Sequence, residues 1–588
     1  MIAFVLGLLV VGIILLSLEI VPVDLVTLML LLALTLGGVL SPQEAFAGLA
    51  SEVVVILAAI YVVTGALQQT GILAGLGDSL RRLSGGSARR LALLLAGSTA
   101  VVSTVTNNTT ATAVFLQPAL EAGRQARISP SKLLLPLAYG SILGGTCTLI
   151  GTSTNVAVSG AMAAVGGLQP LGLFELTPVG VVLLVVGLAY LSTIGLRLLP
   201  ENITDGLTDA YEVREYLTEV SLAPDSPLAG QLVFDSDLAR LGYRVVQVER
   251  GGEAFLPDAD TRMQVGDLLV VQASVDQLAR VRDATGLTIK LDLRVRDQDL
   301  QGGELLLVEA IVAPKSNLIG RTLEEVRFRQ RFGVVALAIH RGDRTLPPKL
   351  GSVRLRTGDL LLVHGPRERV AALLRDPNLW VLEPTGGTRR YPPRDRGVYV
   401  VGFLALALAA GGSGVVPLSI SLLLAAVATV LTGAITTEEA YRVIEWRLLI
   451  LIGGMTAFGT AMVKSGAAAF LAEGIVAALG GFGSLAVLGG FVLLTVVLTQ
   501  PMSNAAAALV VLPVAMQAAA QMDANPRSFA VGIALAASVS LATPFEPSCL
   551  IVYGPGRYRF IDFIRVGGPL TCILLAVLLL LIPVFWPL

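Results

Sequence analysis

Cysteine, histidine and charge are the scarce components of this chain. Its 588 residues include three cysteines and two histidines, and 14% are Asp, Glu, Lys or Arg. Cys147, Cys549 and Cys572 all fall in apolar segments, which argues against a disulfide framework. His340 and His364 have no neighbouring cysteine cluster, so no zinc site is suggested. A phosphate-cradling glycine fingerprint is missing, which disfavours nucleotide hydrolysis. No nucleophile–base or metal constellation appears, so an enzyme is not the expected class. The N-terminus is apolar without a basic leading region or a small-residue cleavage site. It reads as a retained membrane helix rather than a signal peptide.

What is abundant is apolar sequence: 54% hydrophobic residues and a mean hydropathy of +0.77. That composition belongs to an integral membrane protein. The charge is unevenly placed. Residues 200–396 hold 27 of the 42 Lys and Arg and 29 of the 43 Asp and Glu. A soluble module is therefore expected inside a membrane protein. The expected divisions are a first membrane repeat at 1–199, two soluble domains at 200–303 and 304–396, and a second membrane repeat at 397–588.

Within the first repeat, 2–20, 23–40 and 52–68 are apolar. Two further apolar runs, 91–102 and 113–120, are each too short to span a bilayer of about 30 Å. Between them lies Ser103-Thr104-Val105-Thr106-Asn107-Asn108-Thr109-Thr110-Ala111-Thr112, with eight hydroxyl or amide side chains in ten residues. The pattern predicts a re-entrant hairpin whose polar turn is buried in protein or lines a cavity. Its oxygens can replace the hydration shell of a small cation. The amides from Thr109 onward can face an anion. The next apolar segment, 133–164, is interrupted at Gly151-Thr152-Ser153-Thr154-Asn155, and 174–199 closes the half.

The second half runs in the same order. Segments 398–411, 415–433 and 447–463 precede a second hairpin, 485–498 and 505–517, around Thr499-Gln500-Pro501-Met502-Ser503-Asn504. Segment 529–552 is interrupted at Ala542-Thr543-Pro544-Phe545-Glu546-Pro547-Ser548, and 567–586 is the last helix. Ser41-Pro42-Gln43-Glu44-Ala45-Phe46 resembles Thr436-Thr437-Glu438-Glu439-Ala440-Tyr441 at the corresponding place. Broken segments at matching positions of two halves point to a transporter site.

Positive charge sets the orientation. With the loop of Arg81, Arg82, Arg89 and Arg90 in the cytoplasm, Arg124, Arg127, Lys132, Arg197, Arg442, Arg447, Arg557, Arg559 and Arg565 are cytoplasmic too. Lys464 and Arg527 fall outside. Five crossings per half make the repeats inverted and place the insert inside the cell. Lys464 is expected to snorkel to the interface. The arginine loop is read as a topology determinant, with contact to anionic lipid as an alternative.

The insert reads as two similar α/β units. Leu228-Ala229-Gly230, strand 243–249, strand 265–271 and helix 275–285 correspond to Leu318-Ile319-Gly320, strand 334–340, strand 357–363 and helix 368–374. The turns open at Asp225 and Lys315.

Taken together, these features resemble the divalent-anion:sodium symporters of the ion transporter superfamily. The insert resembles a tandem pair of TrkA-C (RCK-C) domains, as in one bacterial and algal branch. Val552-Tyr553-Gly554-Pro555-Gly556-Arg557-Tyr558-Arg559-Phe560 is similar to that branch in particular. The implied fold is an all-α polytopic membrane domain with inverted repeats and two re-entrant hairpins, plus inserted cytoplasmic α/β domains. The family pattern implies one sodium ion held by Ser103, Asn107, Asn108 and Gly151. A second would lie among Thr499, Met502, Asn504 and Ala542. Asn108, Thr109, Ser503 and Asn504 would touch the anion, with Thr154, Asn155 and Ser548 at the broken helices. Two residues depart from the pattern: Ala505 lacks a hydroxyl, and Glu546 puts a carboxylate where a small residue belongs. Glu546 either caps the adjacent helix or acts as a coupling carboxylate.

The resemblance implies a secondary transporter for a small dianion, sulfate first and a dicarboxylate next, driven by sodium. It implies a homodimer in the plasma membrane. No organic cofactor or nucleic acid is expected, and a small regulatory ligand on the insert is left open. A cation:proton antiporter of the same superfamily and a ligand-gated channel or sensor are the rival readings.

Overall fold

A computed structural model describes residues 1–18, 21–70, 82–85, 87–126, 128–201, 217–222, 226–240, 243–251, 253–272, 287–289, 305–313, 316–341, 344–346, 350–373, 376, 378–382 and 395–588. Arg81, Arg127, Asp225, the expected helix 275–285, Lys315 and Leu374 lie outside them. The chain forms two units. One contains Met1–Pro200, Arg389–Cys549 and Phe560–Leu588; the other contains Glu201–Thr388 and Leu550–Arg559.

The first unit is helical. Its first half is α1 (Ile2–Leu18), α2 (Val23–Leu36), α3 (Pro42–Ala47), α4 (Glu52–Thr70), α5 (Ala88–Ser103), α6 (Asn108–Ala126), α7 (Pro130–Gly145), α8 (Ser153–Gly166) and α9 (Thr177–Tyr190). Its second half is α10 (Asp395–Gly412), α11 (Leu418–Leu431), α12 (Thr437–Val443), α13 (Trp446–Lys464), α14 (Ala467–Leu479), α15 (Ser484–Leu498), α16 (Asn504–Gln521), α17 (Pro526–Ser538), α18 (Pro547–Tyr553) and α19 (Phe560–Phe585). Five described segments are long and apolar enough to cross a membrane: Pro42–Thr70, Thr177–Leu198, Trp446–Lys464, Asn504–Gln521 and Phe560–Phe585.

The two halves share local chemistry as well as order. Ser41 and Thr436 each accept the amide three residues on, while Glu44 and Glu439 reach back to the cap amide. These are paired capping boxes. Each starts a short helix, and a 19-residue helix follows, α4 or α13. Both expected broken helices are broken, but at 146–152 and 539–546, ahead of the expected interruptions at 151–155 and 542–548, whose last residues already belong to α8 and α18. The α6 arm runs to Ala126, beyond its apolar run, and α14 was not expected from the sequence.

Glycine sets how closely α5 approaches α7. A Cβ on Gly140 would lie 2.3 Å from the Ala96 carbonyl oxygen, and one on Gly144 would lie 2.2 Å from that of Ala100. Small residues four apart admit such backbone contact between helices in a membrane. The contact carries the end of α5, Ser103, to the break between α7 and α8. The broken stretch before α18 is satisfied from the other elements: Tyr139 Oη donates to Leu541 O at 3.0 Å, and Leu541 N donates to Thr571 Oγ1 at 3.0 Å. Without such partners, irregular backbone in an apolar setting costs several kcal/mol per group.

Lys464 is the last residue of α13. Its Nζ pairs with Glu44 Oε1 at 2.8 Å, joining α13 to α3. Arg527 forms a fork on Glu175, both bonds at 2.7 Å, and Trp586 Nε1 donates to the same carboxylate at 3.1 Å.

The second unit holds two five-stranded antiparallel sheets. The strands are β1 (Leu217–Leu222), β2 (Arg244–Arg250), β3 (Glu253–Phe255), β4 (Leu268–Gln272), β5 (Leu287–Ile289), β6 (Leu305–Val312), β7 (Val335–Arg341), β8 (Arg344–Thr345), β9 (Leu360–Pro366) and β10 (Leu379–Leu382). The orders β3-β2-β4-β1-β5 and β10-β6-β9-β7-β8 are the same order read in opposite directions. Each has a bulge at the same place, Val245/Gln247 or Ala336/Ala338. Arg250 grips Asp267 with two bonds of 2.8 Å, and Arg341 grips Asp359 with two of 2.7 Å. Arg262 and Arg354 donate to the carbonyls of the left-handed Gly230 and Gly320. The internal repeat expected in the insert is therefore present in topology and in side-chain detail. The edge strands β5 and β10 and their inner neighbours β1 and β6 were not expected.

His364 on β9 is fully buried, and its Nε2 lies 3.0 Å from Gln247 Oε1 on β2. Burial pushes its imidazole down to about 4 from 6.5. The neutral ring is native, so its contribution to stability is complete above pH 6.5 and is lost as pH falls toward 4. The expected loss is about 3 kcal/mol. Hydrogen exchange of peptides covering 305–312 and 360–366 in the full chain checks this. Protection should fall as pH drops from 6.5 to about 4, and His364→Gln should remove that dependence.

Candidate functional site

The site is built first from α5, the turn after it, and the α7–α8 break. Ser103 ends α5 and is fully buried, and its Oγ donates to Asn108 Oδ1 at 2.9 Å. Asn107 Oδ1 accepts Thr109 N at 2.9 Å, so this side chain also starts α6. Thr148, in the break, donates its Oγ1 to Thr104 O at 2.5 Å and accepts Gly151 N at 3.1 Å. Thr152 Oγ1 accepts Thr154 N at 3.3 Å and caps α8. Asn155 Nδ2 donates to Gly145 O at 3.3 Å and to Thr148 O at 3.1 Å. Asn155 is fully buried, and its Oδ1 has no hydrogen-bond partner among the described residues.

Glycine forms the floor. A Cβ on Gly145 would lie 2.3 Å from Asn108 Oδ1 and 3.1 Å from Gly151 O. One on Gly151 would lie 2.6 Å from Gly145 O. The oxygens of Asn108, Gly145 and Gly151 therefore converge where no side chain intervenes, with Ser103 Oγ beside Asn108. A set of neutral oxygens of this kind fits a small alkali cation. The sequence singled out Ser103, Asn108, Gly151 and Asn155; it missed Gly145 and Thr148. Thr148 was the one with a readable signal, a hydroxyl within the apolar run before the break.

The second-half site is arranged differently. Thr499 Oγ1 donates to Val496 O at 2.8 Å, and Ser503 Oγ accepts Ala506 N at 3.3 Å to cap α16. Met502 is buried, while Asn504 and Ala542 are half-buried. Asn504 makes no side-chain hydrogen bond among the described residues. Gln500 joins the turn to the α17–α18 break: its Nε2 donates to Ser540 Oγ at 2.6 Å, and its Oε1 accepts Thr543 Oγ1 at 2.7 Å. Ser548 is fully buried; its N donates to Glu546 Oε2 at 2.6 Å, and its Oγ is 3.3 Å from Oε1. Glu546 thus caps α18. It also interacts with the side chain of Asn108, which ties the second break to the first turn.

Thr152 and Glu546 each stand just before a helix and each accept the amide two residues on, Thr154 N or Ser548 N, so Glu546 takes the capping place that Thr152 holds in the first break. Asn155 must donate, because two carbonyls face it. Glu546 must accept, because the amide of Ser548 faces it.

The chain is similar to several known transporters. The uncharacterized transporter sll0640 of Synechocystis sp. is 36% identical over 571 residues, covering 95% of this chain and 92% of that protein. The uncharacterized transporter YfbS of Escherichia coli is 29% identical and covers 99% of each chain. Sodium/sulfate cotransporter 1 of Chlamydomonas reinhardtii is 30% identical over 285 residues, 45% of this chain and 32% of that protein. Among solved structures, the Alcanivorax borkumensis YdaH transporter aligns with a TM-score of 0.43 at 15% identity, over 95% of this chain and 89% of that one. Family and relatives are transporters, not enzymes. Residues 13–536 match the citrate transporter (CitMHS) family, and the chain belongs to that family, within the divalent-anion:sodium symporters of the ion transporter superfamily.

Proposed function

We propose that the protein imports a small dianion, sulfate before dicarboxylate, coupled to sodium by alternating access. The carrying observation is the glycine-floored convergence of Ser103, Asn108, Gly145 and Gly151 oxygens beside the unpartnered Asn155 Oδ1. Curated relatives named sodium/sulfate cotransporters support the choice of cation and anion. In this reading sodium binds Ser103, Asn107, Asn108 and Gly151, and a second ion binds Thr499, Met502, Asn504 and Ala542. Asn108, Thr109, Ser503 and Asn504 meet the anion, with Thr154, Asn155 and Ser548 lining the breaks. Each bound cation supplies positive charge that no side chain of this set provides. A fixed arginine would hold the anion too tightly for release.

The two halves act as inverted repeats, with α5–α6 and α15–α16 as re-entrant hairpins. The insert serves as a cytoplasmic TrkA-C-like regulatory pair in a homodimer of the plasma membrane. Glu546 favours a second reading of the coupling, in which its carboxylate replaces part of the second sodium site. Radiolabelled sulfate uptake into proteoliposomes, with and without an inward sodium gradient, tests the proposal. Asn108→Ala and Asn504→Ala should each lose sodium-dependent uptake. Uptake that ignores sodium and follows a proton gradient would move the coupling to Glu546. Cation exchange without anion movement, or single-channel currents, would replace the symporter reading.

A further inference from the structure

We propose that Gln500 is a positioning residue that latches the α15–α16 turn to the α17–α18 break and thereby sets the sodium affinity of the second cation site. The inference rests on the symporter reading for the identity of the ion. The latch itself rests on hydrogen bonds.

Gln500 stands between Thr499, a residue of the proposed cation site, and the turn proline Pro501. Its Nε2 has two hydrogens and three acceptors in reach: Ser540 Oγ at 2.6 Å, Val496 O at 2.8 Å and Thr499 Oγ1 at 3.3 Å. The two short contacts take the hydrogens. That leaves Thr499 Oγ1 with no strong donor, so its lone pairs remain available to a cation. Thr543 donates to Gln500 Oε1 at 2.7 Å, one residue after Ala542, the other half of the proposed site. One amide therefore fixes both sides of the site, forty and forty-three residues away in sequence. Only an amide meets these demands, because the position needs two donated hydrogens and one accepted hydrogen at once.

The first half has a counterpart with the direction reversed. Thr104 follows Ser103 as Gln500 follows Thr499, and both stand four residues before the turn asparagine, Asn108 or Asn504. There the latch comes from the break: Thr148 donates to the Thr104 carbonyl at 2.5 Å and accepts Gly151 N. Both cation sites are thus closed by a side chain that is not itself a ligand.

The test compares Gln500→Ala with Gln500→Glu, Ser540→Ala and Thr543→Val in proteoliposomes. Glutamate keeps the acceptor for Thr543 but cannot donate to Ser540 or Val496. Gln500→Ala should raise the sodium concentration for half-maximal sulfate uptake about tenfold. Uptake at saturating sodium, and the sulfate KM measured there, should stay within about twofold. Gln500→Glu should not restore the affinity. Ser540→Ala and Thr543→Val should each shift sodium affinity less, and neither should add to Gln500→Ala, as expected of residues in one network. Unchanged sodium affinity, or fully additive effects, would overturn the latch. Hydrogen exchange supplies a readout that needs no transport. Peptides covering 496–504 and 539–546 should both exchange faster in Gln500→Ala than in the parent. Faster exchange with no sodium-dependent uptake in the parent would keep the latch and refute the symporter reading. Unchanged exchange in both segments would refute the latch alone.

Discussion

Alanine at Gly145 is expected to reduce sodium-driven anion uptake by at least about a hundredfold while the protein still inserts and folds. The added methyl would sit 2.3 Å from Asn108 Oδ1 and 3.1 Å from the Gly151 carbonyl oxygen. Contacts that short force something to move. Asn108 is pinned by Ser103 at 2.9 Å. Gly151 is pinned through Thr148, which is itself bonded to Thr104. The displacement therefore falls on the oxygens proposed to hold the cation, where a shift of an ångström is costly to function. Gly97→Ala, on α5, is the control, because a Cβ there meets nothing within 4 Å. Uptake should survive it. Equal uptake in Gly145→Ala and Gly97→Ala would remove the glycine floor from the account.

Glu546→Gln is expected to lower uptake about tenfold or more and to change its dependence on sodium and pH. Glutamine keeps the length of the side chain and one oxygen, which suffices to cap the amide of Ser548, now bonded at 2.6 Å. What it loses is the ability to ionise. A residue that only caps α18 would tolerate that exchange, since an amide oxygen also accepts from a helix N-terminus. A carboxylate that shares in holding the coupled cation would not. Unchanged uptake, ion dependence and pH profile in Glu546→Gln would leave it a helix cap.

Much of the helical unit was legible because its signals are local. Ser41/Glu44 and Thr436/Glu439 are capping boxes within four residues, and the breaks are marked by runs of polar residues at 151–155 and 542–548 in apolar sequence. The length of α6 was not local. Glu121, Arg124 and Gln125 interrupt its apolar run, yet the helix continues through them. The 13-residue α14 begins after the left-handed Gly466 and carries Glu473 at its middle, so it does not read as a spanning segment. In the insert, the turn motifs and the strands after them were legible. The strands preceding those turns, Leu217–Leu222 and Leu305–Val312, find their partners 47 to 73 residues downstream. At the site, Ser103, Asn108, Gly151 and Asn155 stood out by residue type. Gly145 and Gln500 did not, because their roles are a close approach and a bond across 40 residues, which a turn motif cannot reveal.

The most direct test of coupled sodium and anion movement is the reciprocal flux. Proteoliposomes with equal sodium on both sides are given an inward sulfate gradient, and labelled sodium entry is followed. Symport predicts that the anion gradient drives net sodium uptake against no gradient of its own, and that Asn108→Ala abolishes it. Sulfate entry that carries no sodium would contradict the account.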